Sequence, residues 1–324
     1  MRKFLKGLLV TTLLCTTLLT GCTSGTKQVI IYSNADDEAV AAMKTALDNN
    51  GFKDQYLFQT FGTSELGGKL LAEGKNIEAD LVTMSSFYVD SAQNQKKMFV
   101  DLDFKTNGLS DHSTYSAPIT SQEGAIIINT EEMKANHLTA PQSLKDLTKP
   151  EYKDMISVTD ISSSSTAWLL IQALVNEYGD EAKDVLKGIY ANAGVHIESS
   201  GSAPLKKARA GEVAIGFGLR HQAVNDKASG LPIDYVDPTE GNFSLTESVA
   251  VVNKEGSENQ KLAMKMAECI ITKGRTDLIK TYPNPLYEGE TLSSANKSTY
   301  PKVFKEKLTV ELLKKHQELS EECK

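Results

Sequence analysis

Short apolar segments alternate with helical segments from residue 29 to residue 97, and this order constrains the fold more than any other feature. The predicted strand and helix pairs are Val29–Tyr32 and Ala35–Asn49, Tyr56–Phe61 and Glu65–Glu73, and Ala79–Thr83 and Phe87–Lys97. Strands that alternate with helices form a parallel sheet with helices on its faces. The sequence therefore predicts an α/β fold.

A second unit of the same kind follows further along the chain. The helix Ala167–Tyr178 is apolar nearly all round, as expected of a buried helix. The strands predicted around it are Met155–Thr159, Val195–Glu198, Val213–Phe217 and Pro232–Val236.

Extended segments lead into the second unit and back out of it, at Ala117–Ser121, Gly124–Asn129 and Ser248–Val252. We therefore predict two lobes joined by a hinge of two crossings. The first lobe begins with residues 29–121, and the second lobe is 122–243. Residues 244–324 return to the first lobe and end in C-terminal helices that wrap around the outside. A ligand is expected between the lobes, where loops at strand ends meet.

The run Asp160–Trp168 contains four serines and a threonine between a predicted strand and a predicted helix. The start of a helix offers free backbone N–H groups and a positive dipole end, which together suit an anion. A second such run is Ser199–Ser202. These runs make Ser163, Ser164, Ser165, Thr166, Ser200, Gly201 and Ser202 candidate ligand-binding residues. The alternative is ordinary helix capping by serine.

Hydroxyl residues also follow the strands predicted for the first lobe. They are Ser33, the pair Thr63 and Ser64, and Ser85. Ligands of open α/β sheets bind beyond the carboxyl ends of the strands, so we expect these residues to contact the same ligand. Each one taken alone is also typical of a helix cap.

Residues 1–21 read as a secretory signal, with Arg2, Lys3 and Lys6 before a short apolar stretch. Leu19-Thr-Gly-Cys22 resembles the lipobox of bacterial lipoproteins, which implies lipidation of Cys22 and a flexible tether at 22–28. The alternative is an unlipidated signal with a cysteine there by chance. With the anchor, the protein is expected at the cell membrane on its extracytoplasmic face.

The formal charge of the chain is -7, which argues against nucleic acid as the main partner. Two cysteines follow the predicted tether, Cys269 and Cys323, and no Cys-x-x-Cys motif supports a metal or redox pair. Cys269 lies in a helical pattern and is interpreted as a small core residue. A Cys269–Cys323 disulfide remains the alternative.

Taken together, these segments resemble the solute-binding lipoproteins of bacterial ABC importers, in the type II branch that includes ferric-ion, hexose-phosphate and 2-aminoethylphosphonate binders. The resemblance rests on Gly62–Ser64, Glu73–Asp80, Gly124–Asn129, Leu147–Tyr152, Asp160–Trp168, Ser199–Pro204, Ala210–Gly216 and Asp237–Gly241. It implies a two-lobed type II periplasmic-binding-protein fold, a small solute and permease subunits as partners, a monomer, and neither a cofactor nor enzymatic activity.

The ligand is predicted from one difference between this sequence and the ferric binders of the branch. Ferric binders of this branch place two adjacent tyrosines after the strand equivalent to Val213–Phe217, and here that segment reads Phe217-Gly-Leu-Arg-His-Gln222. Arg220 instead suits a phosphonate or phosphate, because its guanidinium forms a fork of donors. We therefore expect a small anionic solute, a phosphonate such as 2-aminoethylphosphonate or an organic phosphate. Glu240, or an acid near Asp36, is expected to pair with an ammonium group if the solute has one.

Three alternatives stay open at this stage. Fe(III) binding is the first. For Arg220 itself, the alternative is an ordinary charge on a helix surface. A surface lipoprotein hydrolase is the second, although the Gly-x-Ser-x-Gly motif of serine hydrolases is absent from the sequence. An adhesin is the third.

Overall fold

The computed structural model describes residues 28–110 and 112–324, so the predicted signal segment and Cys22 lie outside the described residues. Within them the chain forms ten strands that join in one mixed sheet. They are β1 Val29–Ser33, β2 Tyr56–Thr60, β3 Leu81–Ser85, β4 Ser116–Asn129, β5 Ile156–Thr159, β6 Ile197–Glu198, β7 Ile215–Leu219, β8 Ile233–Val236, β9 Asn242–Val251 and β10 Pro301–Lys302.

Helices cover the faces of this sheet, as the α/β prediction requires. They are α1 Asp37–Leu47, α2 Thr63–Glu73, α3 Ser86–Lys96, α4 Thr130–Ala135, α5 Thr166–Tyr178, α6 Ala182–Ala193, α7 Ala203–Ala210, α8 Arg220–Ala228, α9 Glu258–Cys269, α10 Arg275–Thr281 and α11 Val310–Glu321. Within residues 28–110 and 112–324, none of them has both the length and the apolar character needed to span a bilayer.

The first lobe is built on β1, which pairs in parallel with β2 and β3. Because side chains alternate along a strand, Ile31 and Leu81 pack with α1 and α9 on one face. Tyr32 and Val82 pack with α2 and α3 on the other face. Burying each such apolar side chain contributes about 1.5–3 kcal/mol, so the alternation fixes which side of every strand faces which helix layer.

Two long strands cross between the lobes. β4 pairs with β9 antiparallel through its first half and with β7 and β8 through its second half, while β9 also pairs with β3. The extended segments predicted at 117–121 and 124–129 are therefore one strand. Its register shifts between Pro118 and Thr120, where proline has no N–H to give to the ladder.

The second lobe contains β5 to β8 with α4 to α8. β5 pairs in parallel with β7 and β6, and α5 is buried along nearly its whole surface, as its apolar sequence predicts. Trp168 on α5 contacts Phe87 of α3 with ring centroids 4.9 Å apart. The helices of the two lobes therefore touch beside the crossing strands. The predicted boundaries, 121/122 and 243/244, fall inside β4 and β9 and stay a prediction.

The C-terminal helix is the element that the sequence predicts to wrap around the outside of the molecule. α11 packs against α3, α5 and α6, and so it contacts both lobes. The indole Nε1 of Trp168 donates a hydrogen bond to Nδ1 of His316 at 2.7 Å. The helix is placed there because its apolar side chains, such as Leu312 and Leu313, bury against that surface.

Two buried arginines hold the segment before α11. Arg275 pairs with Glu290 at 2.7 Å and donates to the carbonyls of Asn284 and Ile119. Arg220 donates to the carbonyls of Ala295 and Lys297, both at 3.2 Å. The segment is thus fixed near one end to the first lobe and near the other end to the second.

Both described cysteines are free and buried, so the alternative of a Cys269–Cys323 disulfide is wrong. Cys269 lies in the first-lobe core, with Sγ 3.6 Å from the carbonyl of Ala46. Cys323 lies beside α6, 3.4 Å from the carbonyl of Lys183. The interpretation of Cys269 as a core residue is confirmed.

Candidate functional site

A cavity of about 310 Å³ lies where loops at the strand ends of both lobes meet. Its volume is at the small end of the range for ligand sites, so it suits a small molecule. The lining residues are Asn34, Ala35, Asp36, Asp37, Phe61, Gly62, Thr63, Gln122, Ser163, Ser164, Ser165, Thr166, Ser199, Ser200, Gly201, Ser202, Lys206, Leu219 and Glu247.

The second lobe contributes a serine wall, which we define as Ser163–Thr166, Ser199–Ser202 and Lys206. After β5, the carbonyl of Asp160 accepts the N–H groups of Ser163 and Ser164 at 3.1 and 3.0 Å. This turn presents the first serine segment at the start of α5. The second serine segment lies at the start of α7, so two helix N-termini border one cavity.

The two serine segments are in contact at Gly201. A Cβ atom at this position would lie 2.1 Å from Oγ1 of Thr166 and 3.1 Å from Oγ of Ser164. Glycine is therefore needed because a larger residue would push the segments apart. Their convergence comes from β5 and β6, which are adjacent in the sheet.

The serines at the two helix starts do not act as ordinary caps. Ser165 and Ser202 occupy the N-cap positions of α5 and α7, yet neither hydroxyl accepts a hydrogen bond from its helix. Asp36 at the start of α1, by contrast, accepts the N–H of Ala39 at 3.3 Å. The Ser165 hydroxyl therefore remains available to a ligand, together with the positive ends of the two helices. The Ser202 hydroxyl shares a hydrogen bond of 3.3 Å with the Ser200 hydroxyl.

The first lobe and the crossing strand β9 contribute an acidic wall, which we define as Asn34, Asp36, Asp37, Thr63 and Glu247. Nδ2 of Asn34 donates to Oγ1 of Thr63 at 3.0 Å and to Oε1 of Glu247 at 3.1 Å. The hydroxyl of Tyr282 donates to Asp36. Neutral donors thus orient two of the three carboxylates.

Burial changes the protonation of this wall. Glu247 is only 7% exposed, and its Oε2 has no hydrogen-bond partner among the described residues. Burial is the main cause that raises the pKa of Glu247 to about 7, and repulsion from Asp36 adds to it. Burial also raises the pKa of Asp36. At neutral pH the Glu247 carboxyl is therefore only partly ionised.

Residues 71–285 match the family model of bacterial extracellular solute-binding proteins. The chain belongs to this family. The predicted role as the solute-binding component of an ABC importer is confirmed at that level. Solute-binding proteins are transport components that act outside the cytoplasm, and the two-lobed arrangement around a cavity fits this role.

Two curated relatives match different lengths of this chain. An uncharacterized protein of Haemophilus influenzae is 29% identical over 153 residues, which cover 47% of this chain and only 43% of the relative's length. The spermidine/putrescine-binding periplasmic protein of Salmonella typhimurium is 24% identical over 273 residues, covering 76% of this chain and 75% of the relative.

Two solved structures share the fold. The periplasmic binding protein AfuA of Actinobacillus pleuropneumoniae, with fructose-6-phosphate bound, is 21% identical with a TM-score of 0.73 and covers 91% of this chain and 97% of that one. Iron-bound HitA of Pseudomonas aeruginosa is 19% identical with a TM-score of 0.72 and covers 92% and 99%. Identities this low show the fold alone, and they confirm the predicted two-lobed α/β fold.

Eight of the residues predicted for ligand binding line the cavity of this solute-binding protein. They are Thr63, Ser163, Ser164, Ser165, Thr166, Ser200, Gly201 and Ser202. The structure therefore brings the two predicted serine runs together with the helix start of the first lobe.

Three first-lobe serines do not line the cavity, which corrects their interpretation. Ser33 is fully buried, where it accepts from the N–H of Ala35 and the hydroxyl of Thr83. Ser64 hydrogen-bonds to Tyr88 within the helix layer. Ser85 is buried directly opposite Glu247 in the sheet. At the end of β1 it is the next residue, Asn34, that lines the cavity.

Arg220 and Glu240 are also corrected, because each is buried in contacts that hold the second lobe together. Arg220 pairs with Asp237 at 2.7 Å and also binds backbone carbonyls. Glu240 accepts the N–H groups of Leu144 and Lys145 and the hydroxyl of Tyr178. Neither residue lines the cavity.

Three lining residues, Glu247, Asn34 and Lys206, are not among the ligand-binding residues predicted from the sequence. Lys206 reads as part of a solvated helix face, and it is exposed, but it lies on the side of α7 that borders the cavity. A signal for Glu247 was present. It alternates with Leu245 and Val249 in an extended segment, as a single acid on the buried face of a strand.

Proposed function

We propose that the cavity captures a small organic phosphonate or phosphate, such as 2-aminoethylphosphonate, and delivers it to the permease subunits of an ABC importer. The observation that supports this is the serine wall. Two segments of small hydroxyl residues at two helix starts line one cavity, with the cation of Lys206 beside them. The protein thereby binds a solute without chemical change to it.

The serine wall suits an oxyanion for a physical reason. Hydroxyl and backbone N–H donors directed at an anion form charge-assisted hydrogen bonds, which are stronger than bonds between neutral groups. One lysine adds a single positive charge, so the anion is held mainly by neutral donors. A solute held in this way is bound selectively and can still be released to a permease.

The alternative of Fe(III) finds less support in the lining. The cavity offers carboxylates and hydroxyls, and its described lining residues include no tyrosine and no histidine. The tyrosine pair typical of ferric binders in this branch is also absent from the sequence after Val213–Phe217. We therefore keep the oxyanion as the proposed ligand.

We also propose that Cys22 carries a lipid anchor that holds the protein at the extracytoplasmic face of the membrane. The support is the lipobox-like tetrapeptide in the sequence. Cell fractionation checks this, because the Cys22→Ser protein should leave the membrane fraction. Retention of that variant in the membrane would contradict the anchor.

Isothermal titration calorimetry of the protein without its predicted signal and tether tests which ligand it binds. We expect binding of phosphonates and phosphate esters. Ser165→Ala and Ser202→Ala should each weaken it by about 1.5–3 kcal/mol, the usual contribution of a hydrogen bond to a charged group. The matched control is Ser162→Ala, from the same run, because Ser162 is exposed and its hydroxyl faces Glu321 outside the cavity.

The same titrations show which result contradicts the proposal. Binding of Fe(III) alone, of a polyamine alone or of an uncharged sugar alone would refute it. An equal loss of affinity in Ser162→Ala and Ser165→Ala would also count against it, since the effect would then not come from the cavity.

A further inference from the structure

We infer that the acidic wall is a second subsite, which binds an ammonium group, so that the solute carries both charges. This inference rests on the proposed function for the anionic end of the solute. It adds a substrate class: small zwitterions in which a primary amine and a phosphonate or phosphate are joined by a short chain.

The first observation is the unsatisfied carboxylate of Glu247. Its Oε2 has no partner among the described residues, although the residue lines the cavity and is 93% buried. A buried carboxylate oxygen without a hydrogen bond is costly, and structures keep such groups where a ligand satisfies them. In its ionised form the Glu247 carboxylate only accepts hydrogen bonds, so a donor from the solute would satisfy Oε2.

The second observation is the chemistry of the donors already present. Asn34 binds Glu247, while Tyr282 and the N–H of Ala39 bind Asp36. These groups are neutral, so they orient the carboxylates without cancelling their charge. Asp37 adds a third acid to the same lining. An ammonium group, with three donors and one positive charge, meets both needs.

The third observation is the separation of charge across the cavity. Lys206 and the starts of α5 and α7 belong to the second lobe, whereas Asp36 and Asp37 belong to the first lobe. A simple anion is suited to the serine wall alone and is repelled by the acidic wall. A simple diamine is suited to the acidic wall alone. A zwitterion contacts both walls at once.

Proton release provides a readout that is specific to this subsite. Since the pKa of Glu247 is raised to about 7, an ammonium group beside it should favour the ionised form and expel a proton at neutral pH. Among the titratable and charged groups near Glu247, Asp36 is the one that repels it, and Asp37 and Lys206 line the same cavity. Tyr282 donates to Asp36, and the ring of His221 packs against the ring of Tyr282.

The experiment compares 2-aminoethylphosphonate with ethylphosphonate, which lacks only the amine. We expect the folded protein to bind the amine-bearing ligand at least about tenfold more tightly, as for a hydrogen-bonded charged group. Glu247→Gln should reduce the ratio of the two affinities without weakening the binding of ethylphosphonate. It should also abolish proton release, measured by calorimetry at pH 7 in two buffers of different ionisation enthalpy.

The control is Glu65→Gln, which removes an exposed acid from the first turn of α2 outside the cavity lining. It should leave the ratio and the proton release unchanged. Equal affinity for both phosphonates would overturn the zwitterion inference and leave the proposed function intact. Binding of neither phosphonate and of no phosphate ester would overturn the proposed function, and binding of putrescine alone would overturn both.

Discussion

Replacing Glu247 with glutamine should stabilise the protein at alkaline pH and have little effect at acidic pH. The folded state holds the Glu247 proton more tightly than the unfolded chain, because the carboxyl is buried beside Asp36. Glutamine keeps an oxygen for the N–H of Asn34 and never ionises. The variant therefore avoids the cost of a buried charge.

The magnitude follows from the shift in pKa. The pKa of Glu247 rises from 4.5 to about 7, and this difference corresponds to roughly 3 kcal/mol. A raised pKa contributes stability that is fully present below the unfolded value and is lost as the pH rises through the folded value. The advantage of Glu247→Gln should therefore be small at pH 4.5, grow through pH 7 and level off above it.

Urea unfolding followed by the fluorescence of Trp168, the single tryptophan, measures this difference at several pH values. Burial lowers the pKa of His221 and of His316 to about 4, and these residues affect both proteins alike. Glu65→Gln serves as the exposed control. A difference between wild type and Glu247→Gln that is the same at pH 5 and pH 8 would refute the reasoning.

Two further predictions follow from the packing around the site. Arg220→Ala should cost about 3 kcal/mol in urea unfolding, because it leaves the buried side chain of Asp237 without its cationic partner and only with the neutral donors of Asn242 and Thr299. The control Lys227→Ala breaks an ion pair with Asp234 in which the two side chains are 53% and 33% exposed, so it should cost about 1 kcal/mol or less. Unchanged stability of Arg220→Ala with lost ligand affinity would restore Arg220 as a ligand-binding residue. Gly201→Ala should weaken phosphonate binding about tenfold or more, since its methyl group overlaps Thr166. The control is Gly68→Ala, at an exposed helical glycine where the added carbon has nothing within 4 Å, and it should leave phosphonate binding unchanged. Equal binding by both variants would disprove the close contact between Gly201 and Thr166.

The alternation of strands and helices could be predicted from the sequence because it is a local property. Short apolar runs mark β1, β3 and β5, and small hydroxyl residues mark the helix starts that follow. The serine wall was predictable for the same reason. Both of its segments are continuous in sequence, and each follows a strand whose end faces the cavity.

The acidic wall was only partly predictable. The sequence indicated Thr63 and an acid near Asp36, but Glu247 and Asn34 join them only in the folded chain. Glu247 enters the cavity from β9, and its partner Asn34 lies 213 positions earlier. Arg220 and Glu240 are the opposite case, because the sequence indicated them as ligand-binding residues and the structure places them outside the cavity lining. Both have the chemistry of ligand-binding residues, but Asp237 and the N–H groups of Leu144 and Lys145 bind them inside the second lobe.

The segment held by the two buried arginines acts as a tie of fixed length between the lobes. Arg275 secures it at Asn284 and Glu290, and Arg220 secures it at Ala295 and Lys297. Residues 291–294 lie between these two anchors, so a wider angle between the lobes would have to be matched there as well as at the contacts of α11 and Trp168 with both lobes. A stretch of chain outside the cavity lining would therefore help to set how far the mouth of the cavity opens.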